Sequence, residues 1–499
     1  MNNLMPRILE QNTSDFENLP FVLPNGFREY DARWIFQKEI NLCGLQALGL
    51  GLGTLIQSRG IRPKIVIAHD FRSYSQAVKQ ALMLGLVDAG CEIFDIGLAV
   101  TPMAYFAQFE LDLPCVAMVT ASHNENGWTG IKMGMDRPLT FGAEDMASLK
   151  DIVLQAKGTR RPGGIVHRIF GVQEKYQQQL IQSFQLQRKL KVAVVCGNGT
   201  AGAIAPAVMR GIGCDVVEVD CTLDHRFPHY NPNPEDLKML KAMSDAVLAH
   251  ECDLAFGFDG DGDRVGVVDN LGHEIFADKL GVLLARDMAT QHANAQFVVD
   301  VKSTGLFKSD PVLRKHNARV DYWKTGHSYI KQRTQQLDAI AGFEKSGHFF
   351  LRGPYGAGYD DGLASAIQIC RLLDRTPSKT MHELYHELPT SFTTPTMSPK
   401  CSDAEKYQVV EGITHLITQI KASGAIIAGQ KIKEINVVNG IRFEFEDGSF
   451  GLIRASSNKP ELVVVCESFQ SNEHMREIFS HIETLLAGFP AVGEFNQKV

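Results

Sequence analysis

The sequence predicts an α/β protein: three domains built on similar mixed α/β sheets, followed by a smaller α+β domain. Two observations predict it. Apolar strand-like runs alternate with helical patterns, and that rhythm starts again twice along the chain. Residues 391–499 then break it. Alternation of this kind produces largely parallel sheets covered by helices on both faces.

The elements follow in order. "KIVIAHD" reads as a strand, "SQAVKQALMLGLVDAG" as a helix stopped by glycine, and "EIFDIG" and "CVAMVT" as further strands. The first restart is "KVAVVCGNG", "AGAIAPAVMRGIG", "CDVVEVD", "DLKMLKAMSDAVLAHE" and "CDLAFGF". The second is "ADKLGVLLARDMATQ", "QFVVDVKST", "ARVDYWKTG" and "DAIAGFE". The last region holds the helix "AEKYQVVEGITHLITQIKASG", then the strands of "EINVVNGIRFEFEDGSFGLIRAS" and "ELVVVCES" joined by tight turns, and a terminal helix "NEHMREIFSHIETLLAG". Seams are expected at "KGTRRPGG", "DNLGHE" and the Pro/Ser/Thr-rich "PTSFTTPTMSPK". They divide the chain into 1–165, 166–274, 275–390 and 391–499.

Composition bounds the function. The chain has 499 residues, 44% hydrophobic and 21% charged, which is ordinary for a globular protein. A net charge of -7 argues against nucleic acid as a partner, since phosphate backbones select basic faces. The ten cysteines show no CxxC pair, which disfavours a zinc site and reads as free thiols in a reducing compartment. The N-terminus has no apolar signal core, and "LCGLQALGLGLGTLIQ" is short and Gly-rich, suited to a packed helix more than a membrane span. A cytoplasmic protein with no membrane partner is expected.

Four stretches carry chemistry. In "FGFDGDGDRVGVVD", Asp259, Asp261 and Asp263 alternate with glycines. Three carboxylates this close repel unless a cation lies among them, and a Gly-rich turn converges their oxygens on a hard divalent ion. An EF-hand is excluded: its sixth and twelfth loop positions would be Arg264 and Asn270. Arg264 is left to reach a ligand phosphate. In "LIRASSNKPELVV", Arg454, Ser456, Ser457, Asn458 and Lys459 form a polar turn between apolar strands, a phosphate cradle or an ordinary Ser/Asn turn. In "GFEKSGHFF", Glu344, Ser346 and His348 alternate, so an extended segment projects them to one side, suited to sugar hydroxyls. In "VTASHNENGWTG", Ser122 and His123 follow a strand, with Lys132 shortly after. No G-x-S-x-G elbow surrounds Ser122, so acyl hydrolysis is disfavoured, and phosphate and metal partners make a phosphoryl carrier the better role. A competing motif, "GNGTAG" at 197–202, fits G-x-G-x-x-G, with Glu218 and Asp220 near the distance of a ribose-binding acid. It would imply an NAD-linked oxidoreductase, but no nicotinamide chemistry surrounds it.

With these motifs in this order, the chain resembles the α-D-phosphohexomutase superfamily, in particular its bacterial phosphomannomutase/phosphoglucomutase group. The resemblance spans nearly the whole chain. It implies four domains around a central cleft and exchange of phosphate between O1 and O6 of a hexose. It implies a phosphoserine at Ser122, acid/base candidates His123, Lys132, Arg33 and His348, and Mg²⁺ held by Asp259, Asp261, Asp263 and Ser122. "FREYDARW" is similar to the N-terminal motif and places Tyr30 and Arg33 near the cleft. Lys302 in "DVKST" and His327 in "KTGHSYIK" match further cleft positions. Glu344 and Ser346 match the sugar loop, and Arg454, Ser456, Ser457 and Asn458 the phosphate loop. The resemblance also implies a hexose 1,6-bisphosphate activator, sugar-phosphate ligands and a monomer or homodimer. Phosphoglucosamine mutase of the same superfamily is the alternative. Three positions depart from the family's usual pattern: Glu125 stands in place of a proline, Lys345 in place of a methionine, and Ser457–Asn458 in place of Asn–Thr.

Overall fold

The computed structural model describes residues 5–457 and 459–497. The chain gathers into two units. One comprises the chain up to Ala277 together with Ser346–His382; the other comprises Asp278–Lys345 and the chain from Glu383 onward.

The first unit holds two sheets. The first has six strands in the order Ala32–Ile35, Trp128–Gly134, Cys115–Val119, Lys64–His69, Glu92–Leu98, Ile165–Arg168. Lys64–His69 runs parallel to both its neighbours. Trp128–Gly134 is antiparallel to Cys115–Val119. The connection 120–127 is too short for a parallel crossover, which needs about a dozen residues or more. The sheet is therefore mixed. Ile165–Arg168 pairs with Glu92–Asp95, so the first sheet reaches beyond residue 165.

The apolar stretch at 42–57 is a helix, Leu42–Ser58, packed on the helix Ser75–Asp88. Its glycines set the approach. A Cβ on Gly49 would lie 2.1 Å from the Leu82 carbonyl oxygen, and one on Gly85 would lie 1.9 Å from that of Gln46. The two backbones meet where no side chain fits. Among the described residues no helix is long and apolar enough to cross a membrane.

The second sheet runs Glu274–Ile275, Val265–Asp269, Leu254–Phe258, Lys191–Val195, Asp215–Val219. The seam expected at "DNLGHE" is a hairpin turn inside this sheet, closed by Asp269, whose Oδ1 accepts the N–H groups of Leu271 and His273. The helix Gly362–Arg375 also belongs to this unit. Asp361 caps it by accepting from the Ala364 N–H at 2.9 Å, and Tyr176 donates to the same carboxylate at 2.9 Å.

The second unit holds the parallel strands Arg319–Trp323, Gln296–Asp300 and Ala341–Phe343, in that spatial order. It also holds a wholly antiparallel sheet of six strands covered by the helices Lys406–Ser423 and Asn472–Leu486. "PTSFTTPTMSPK" contributes the edge strand Phe392–Thr393 of that sheet. Two buried cations join the sheets of this unit. Arg442 Nη1 donates to the carbonyls of Val301 (2.7 Å) and Ser303 (2.8 Å), and its guanidinium lies 3.5 Å from the Phe450 ring centroid. Lys279 Nζ lies 2.6 Å from Glu467 Oε1 and also donates to Thr304 and Ser391.

Burial pushes the Glu467 carboxyl up, but Lys279 and the donors from Ser391 and Gly305 outweigh it and hold it at about 2, below its ordinary 4.5. A carboxyl lowered on folding stabilises the native state above its unfolded pKa, and that contribution disappears as pH falls toward the folded value. In urea unfolding of the second unit, stability is expected to fall by about 3 kcal/mol between pH 4.5 and 2 on this account. Glu467→Gln should be less stable at pH 7 and should lose that part of the acid dependence. A pH slope unchanged in the variant would show that Glu467 does not carry it.

Candidate active site

Ser122 sits in the loop that follows the strand Cys115–Val119, with a left-handed backbone (φ 51°) and a side chain almost fully buried. A non-glycine residue in that region is uncommon and must be held there by its surroundings. Thr120 Oγ1 accepts the Ser122 N–H at 2.8 Å. Arg72, itself buried, donates to three carbonyls of the loop: Ser122 (2.9 Å), Asn124 (2.7 Å) and Glu125 (3.1 Å). Asp70 lies 3.2 Å from Arg72 Nε and accepts from Thr120 Oγ1 at 2.9 Å and Ser75 Oγ at 2.5 Å. Asn231 of the second sheet's region donates to the His123 carbonyl.

The acidic loop faces this serine. Ser122 Oγ donates to Asp259 Oδ2 at 3.0 Å. Gly260 makes that approach possible, since a Cβ there would lie 2.6 Å from the Ser122 carbonyl oxygen. Asp259, Asp261 and Asp263 are all fully buried, and ligand atoms from the three lie within 4.8 Å of one another. Lys132 Nζ, on the returning strand, bridges Asp261 (2.8 Å) and Asp263. Thr101 Oγ1 donates to Asp261 Oδ2 at 2.5 Å.

The charge balance is one-sided. Burial pulls the Lys132 ammonium down, but Asp261 and Asp263 outweigh it and hold it firmly protonated. Burial pushes Asp259 well above the usual carboxylate range, and the like charges of Asp261 and Asp263 add to this. Burial also pushes on Asp261, but Lys132 overrides it and keeps that carboxyl ionised. Asp261 Oδ1 and Asp263 Oδ1 are buried and accept no hydrogen bond among the described residues. Orphaned anionic oxygens converging in a pocket with too little positive charge are the donor set of a hard divalent cation, and the residues fit one.

His123, Arg33 and Arg264 stand against the same two loops. His123 Nδ1 is 3.2 Å from Ser122 Oγ. Burial lowers its pKa well below 6.5, and Arg264 and Arg33 lower it further, so the ring is neutral at pH 7. Arg33 lies 2.8 Å from Asp31 and donates to Asn124 Oδ1 at 2.7 Å. Arg264 Nε donates to His348 Nε2 at 2.9 Å, which leaves the ring proton of His348 on Nδ1, the atom 2.9 Å from Asp360 Oδ2. Tyr30 is buried and Ser346 half-buried.

The second unit gathers a different set. Asp300 anchors it: its carboxylate accepts from Ser303 Oγ (2.5 Å), Thr325 Oγ1 (3.1 Å) and the Lys345 N–H (3.2 Å), with Lys302 Nζ at 3.8 Å. Glu344 Oε1 accepts the Gly326 N–H at 2.6 Å, beside the buried His327. Asn439 Oδ1 accepts from the Thr325 N–H at 3.2 Å and Arg454 Nε at 2.9 Å, tying the two loops together. Arg454 Nη2 reaches Ser457 Oγ at 3.4 Å, and Ser456 Oγ accepts the Lys459 N–H at 3.2 Å. Asn458 lies outside the described residues. One expectation is corrected. Glu344, Ser346 and His348 do not alternate on an extended segment, because the backbone turns through residues 345–347, with Gly347 at φ 91°.

Family models for phosphoglucomutase/phosphomannomutase α/β/α domains I, II and III match residues 24–160, 174–272 and 276–392. The chain belongs to this family. It is an enzyme of the phosphotransferring mutase class, within the α-D-phosphohexomutase superfamily. The phosphomannomutase/phosphoglucomutase of Pseudomonas putida is 30% identical over 459 residues, covering 92% of this chain and 95% of that protein. The phosphoglucomutase of Neisseria meningitidis serogroup A is 29% identical, covering 95% and 97%. The crystal structure of a Burkholderia thailandensis phosphoglucomutase/phosphomannomutase family protein superposes with a TM-score of 0.84 at 27% identity, covering 95% of this chain and 99% of that one.

The competing motif "GNGTAG" has a packing explanation. A Cβ on Gly202 of "GNGTAG" would lie 2.1 Å from the Cys221 carbonyl oxygen. The Thr200 N–H donates to the Gly260 carbonyl, and Thr200 Oγ1 accepts the Phe71 N–H. The acids beyond it are engaged: Glu218 lies 2.6 Å from Arg210, and Asp220 accepts from Tyr230 at 2.5 Å. The stretch braces the acidic loop. Sequence patterns did not single out Asp70, Arg72, Thr101 or Asp360. The signal for the first two was a charged pair directly after an apolar strand, where open α/β sheets bind ligands.

Gly260→Ala is expected to lower turnover by at least about a hundredfold, since the added methyl must push the acidic loop off Ser122 by about an ångström. Urea unfolding should show a loss of only about 1–3 kcal/mol. Wild-type turnover in a folded Gly260→Ala protein would show that this close approach is not needed.

Proposed function

We propose that this enzyme interconverts hexose 1-phosphate and hexose 6-phosphate, with mannose and glucose as the sugars, through phospho-Ser122 and a hexose 1,6-bisphosphate. The observation that carries the proposal is Ser122 Oγ, 3.0 Å from Asp259 at the mouth of three buried carboxylates. Mg²⁺ held by Asp259, Asp261, Asp263 and the seryl oxygen would neutralise charge on the phosphoryl group in transit.

The chain's own residues perform the rest. In the first half-reaction the P–Oγ bond of phospho-Ser122 breaks, a bond forms from phosphorus to the free sugar oxygen, and the hydroxyl proton passes by way of His123 Nδ1 to the departing Oγ. In the second, Ser122 Oγ attacks the other phosphate of the bisphosphate, the bond from that phosphorus to its sugar oxygen breaks, and the seryl proton passes by way of His123 Nδ1 to the freed sugar oxygen. His123 suits that role because it is neutral and 3.2 Å away. By microscopic reversibility the same ring serves both half-reactions. Lys132 and Arg264 stay cationic and stabilise the oxygens of the transferring group. Glu344, His327 and Lys302 recognise sugar hydroxyls, and Arg454, Ser456 and Ser457 hold the phosphate that is not reacting. Asn458 belongs to the same loop by sequence. The bisphosphate also serves as activator, since it alone can recharge a dephosphorylated Ser122.

Ser122→Ala is expected to reduce mutase turnover by at least about 10⁴-fold, because no side chain can then carry the phosphoryl group. Binding of glucose 1-phosphate by calorimetry should stay within about threefold of wild type. Near-normal turnover in the variant would sink the phosphoserine mechanism. Release of inorganic phosphate from mannose 1-phosphate at the rate of isomer formation would replace it with a phosphohydrolase.

A further inference from the structure

Outside the catalytic centre, one cluster has the donor atoms of a different kind of metal. Asp269 closes the strand Val265–Asp269, and its side chain is 1% exposed. Its Oδ1 accepts the N–H groups of Leu271 and His273, each at 2.9 Å, which fixes the carboxylate plane. The other oxygen, Oδ2, lies 2.7 Å from His382 Nδ1 and 3.8 Å from His273 Nδ1. Asn270 Oδ1 accepts the His382 N–H at 3.1 Å and holds that backbone against the turn. The two imidazoles face one another with ring centroids 5.7 Å apart, and ligand atoms from all three residues lie within 4.8 Å of one another. All three belong to the first unit.

We propose that Asp269, His273 and His382 form a second metal site, selective for Zn²⁺ and ions like it. Bond lengths of about 2.0–2.2 Å place neighbouring donors of a tetrahedral zinc roughly 3.3 Å apart. The contact to His382 must therefore open, and that to His273 close, each by about half an ångström, which side-chain rotation supplies. On binding, the ion takes the place of the proton now shared by His382 Nδ1 and Asp269 Oδ2. Two imidazoles and one carboxylate suit zinc, nickel or copper, whereas Mg²⁺ prefers oxygen alone. The metal-free contacts double as outer support: the bonds to Asp269 Oδ1 and to Asn270 Oδ1 orient the ligands without occupying their coordinating atoms. Three protein ligands leave a fourth position for water. His273 is largely exposed, so the ion has a way in. The site would clip the 269–273 turn to the chain at His382, which lies far off in sequence.

The test uses the full-length, untagged protein, stripped with a chelator and then saturated with Mg²⁺. Calorimetric titration with Zn²⁺ should give one further equivalent, and Co²⁺ should give visible absorption bands of a nitrogen-containing site. His273→Ala and His382→Ala should each weaken this binding at least tenfold and abolish the Co²⁺ bands, with Mg²⁺-dependent turnover unchanged. Zn²⁺ binding that survives both variants would belong to the acidic triad and would overturn the proposal, as would the absence of binding beyond Mg²⁺. His273 lies on the surface, so its variant folds and keeps the test decisive even if His382→Ala does not.

Discussion

Three carboxylates buried on one short loop are the constraint around which the first unit is built. Asp259, Asp261 and Asp263 are each shut off from solvent, and burying one unpaired charge already costs several kcal/mol. The fold supplies one full neutralising contact, from Lys132, and a looser one from Arg264, 3.8 Å from Asp259. The shortfall explains why Asp259 resists ionisation and why two carboxylate oxygens accept no hydrogen bond among the described residues. Lys132 reaches the triad because the chain reverses straight after Val119. Lys132 pairs with Met118 across the antiparallel ladder, so one hairpin delivers both the seryl oxygen at its tip and the countercharge on its return.

The same logic recurs in the second unit with anions used as anchors. Lys302 follows the strand Gln296–Asp300, His327 follows Arg319–Trp323, and Glu344 follows Ala341–Phe343. All three stand beyond the carboxyl ends of parallel strands, as do Asp70, Ser122 and Asp259 in the first unit. Parallel strands end side by side, so loops distant in sequence emerge together. Asp300 then cross-links three of these loops, and Asn439 links one of them to Arg454. The loops that carry the proposed recognition residues are tied to Asp300 and Asn439 by hydrogen bonds, which preserves their direction when a charged ligand arrives.

Much of this was legible in the sequence, for physical reasons. The three runs of strand and helix appear because buried parallel strands must be continuously apolar. The acid–glycine alternation at 259–263 appears because repelling carboxylates are rarely placed together without a cation. What stayed hidden is relational. The short strands Ala32–Ile35 and Trp128–Gly134 read as motif and loop, since their pairing depends on a hairpin whose length, not composition, sets its direction. Arg72 and Asp70 carry no spacing signature; their role exists only once Arg72 meets the carbonyls of a loop some fifty residues on. The turn at 345–347 was missed because Gly347 can adopt either an extended or a left-handed backbone, and alternation assumes the first.

Arg72 and Gly260 solve opposite halves of one problem. A serine that both gives and receives a phosphoryl group, the role proposed for Ser122, must keep the same position whether its oxygen is neutral or carries a phosphate. Held at φ 51°, Ser122 is costly to keep in place, and a loop free to relax would leave that conformation. Arg72 opposes relaxation by binding three carbonyls of the loop with one rigid fork, and Asp70 fixes the fork in turn. Gly260 opposes it from the other side by letting the acidic loop stand directly against the Ser122 carbonyl. Strain at Ser122 is thus contained by contacts to its backbone, which in the proposed role leaves the side-chain oxygen free to change its charge and its covalent state without moving the loop that presents it.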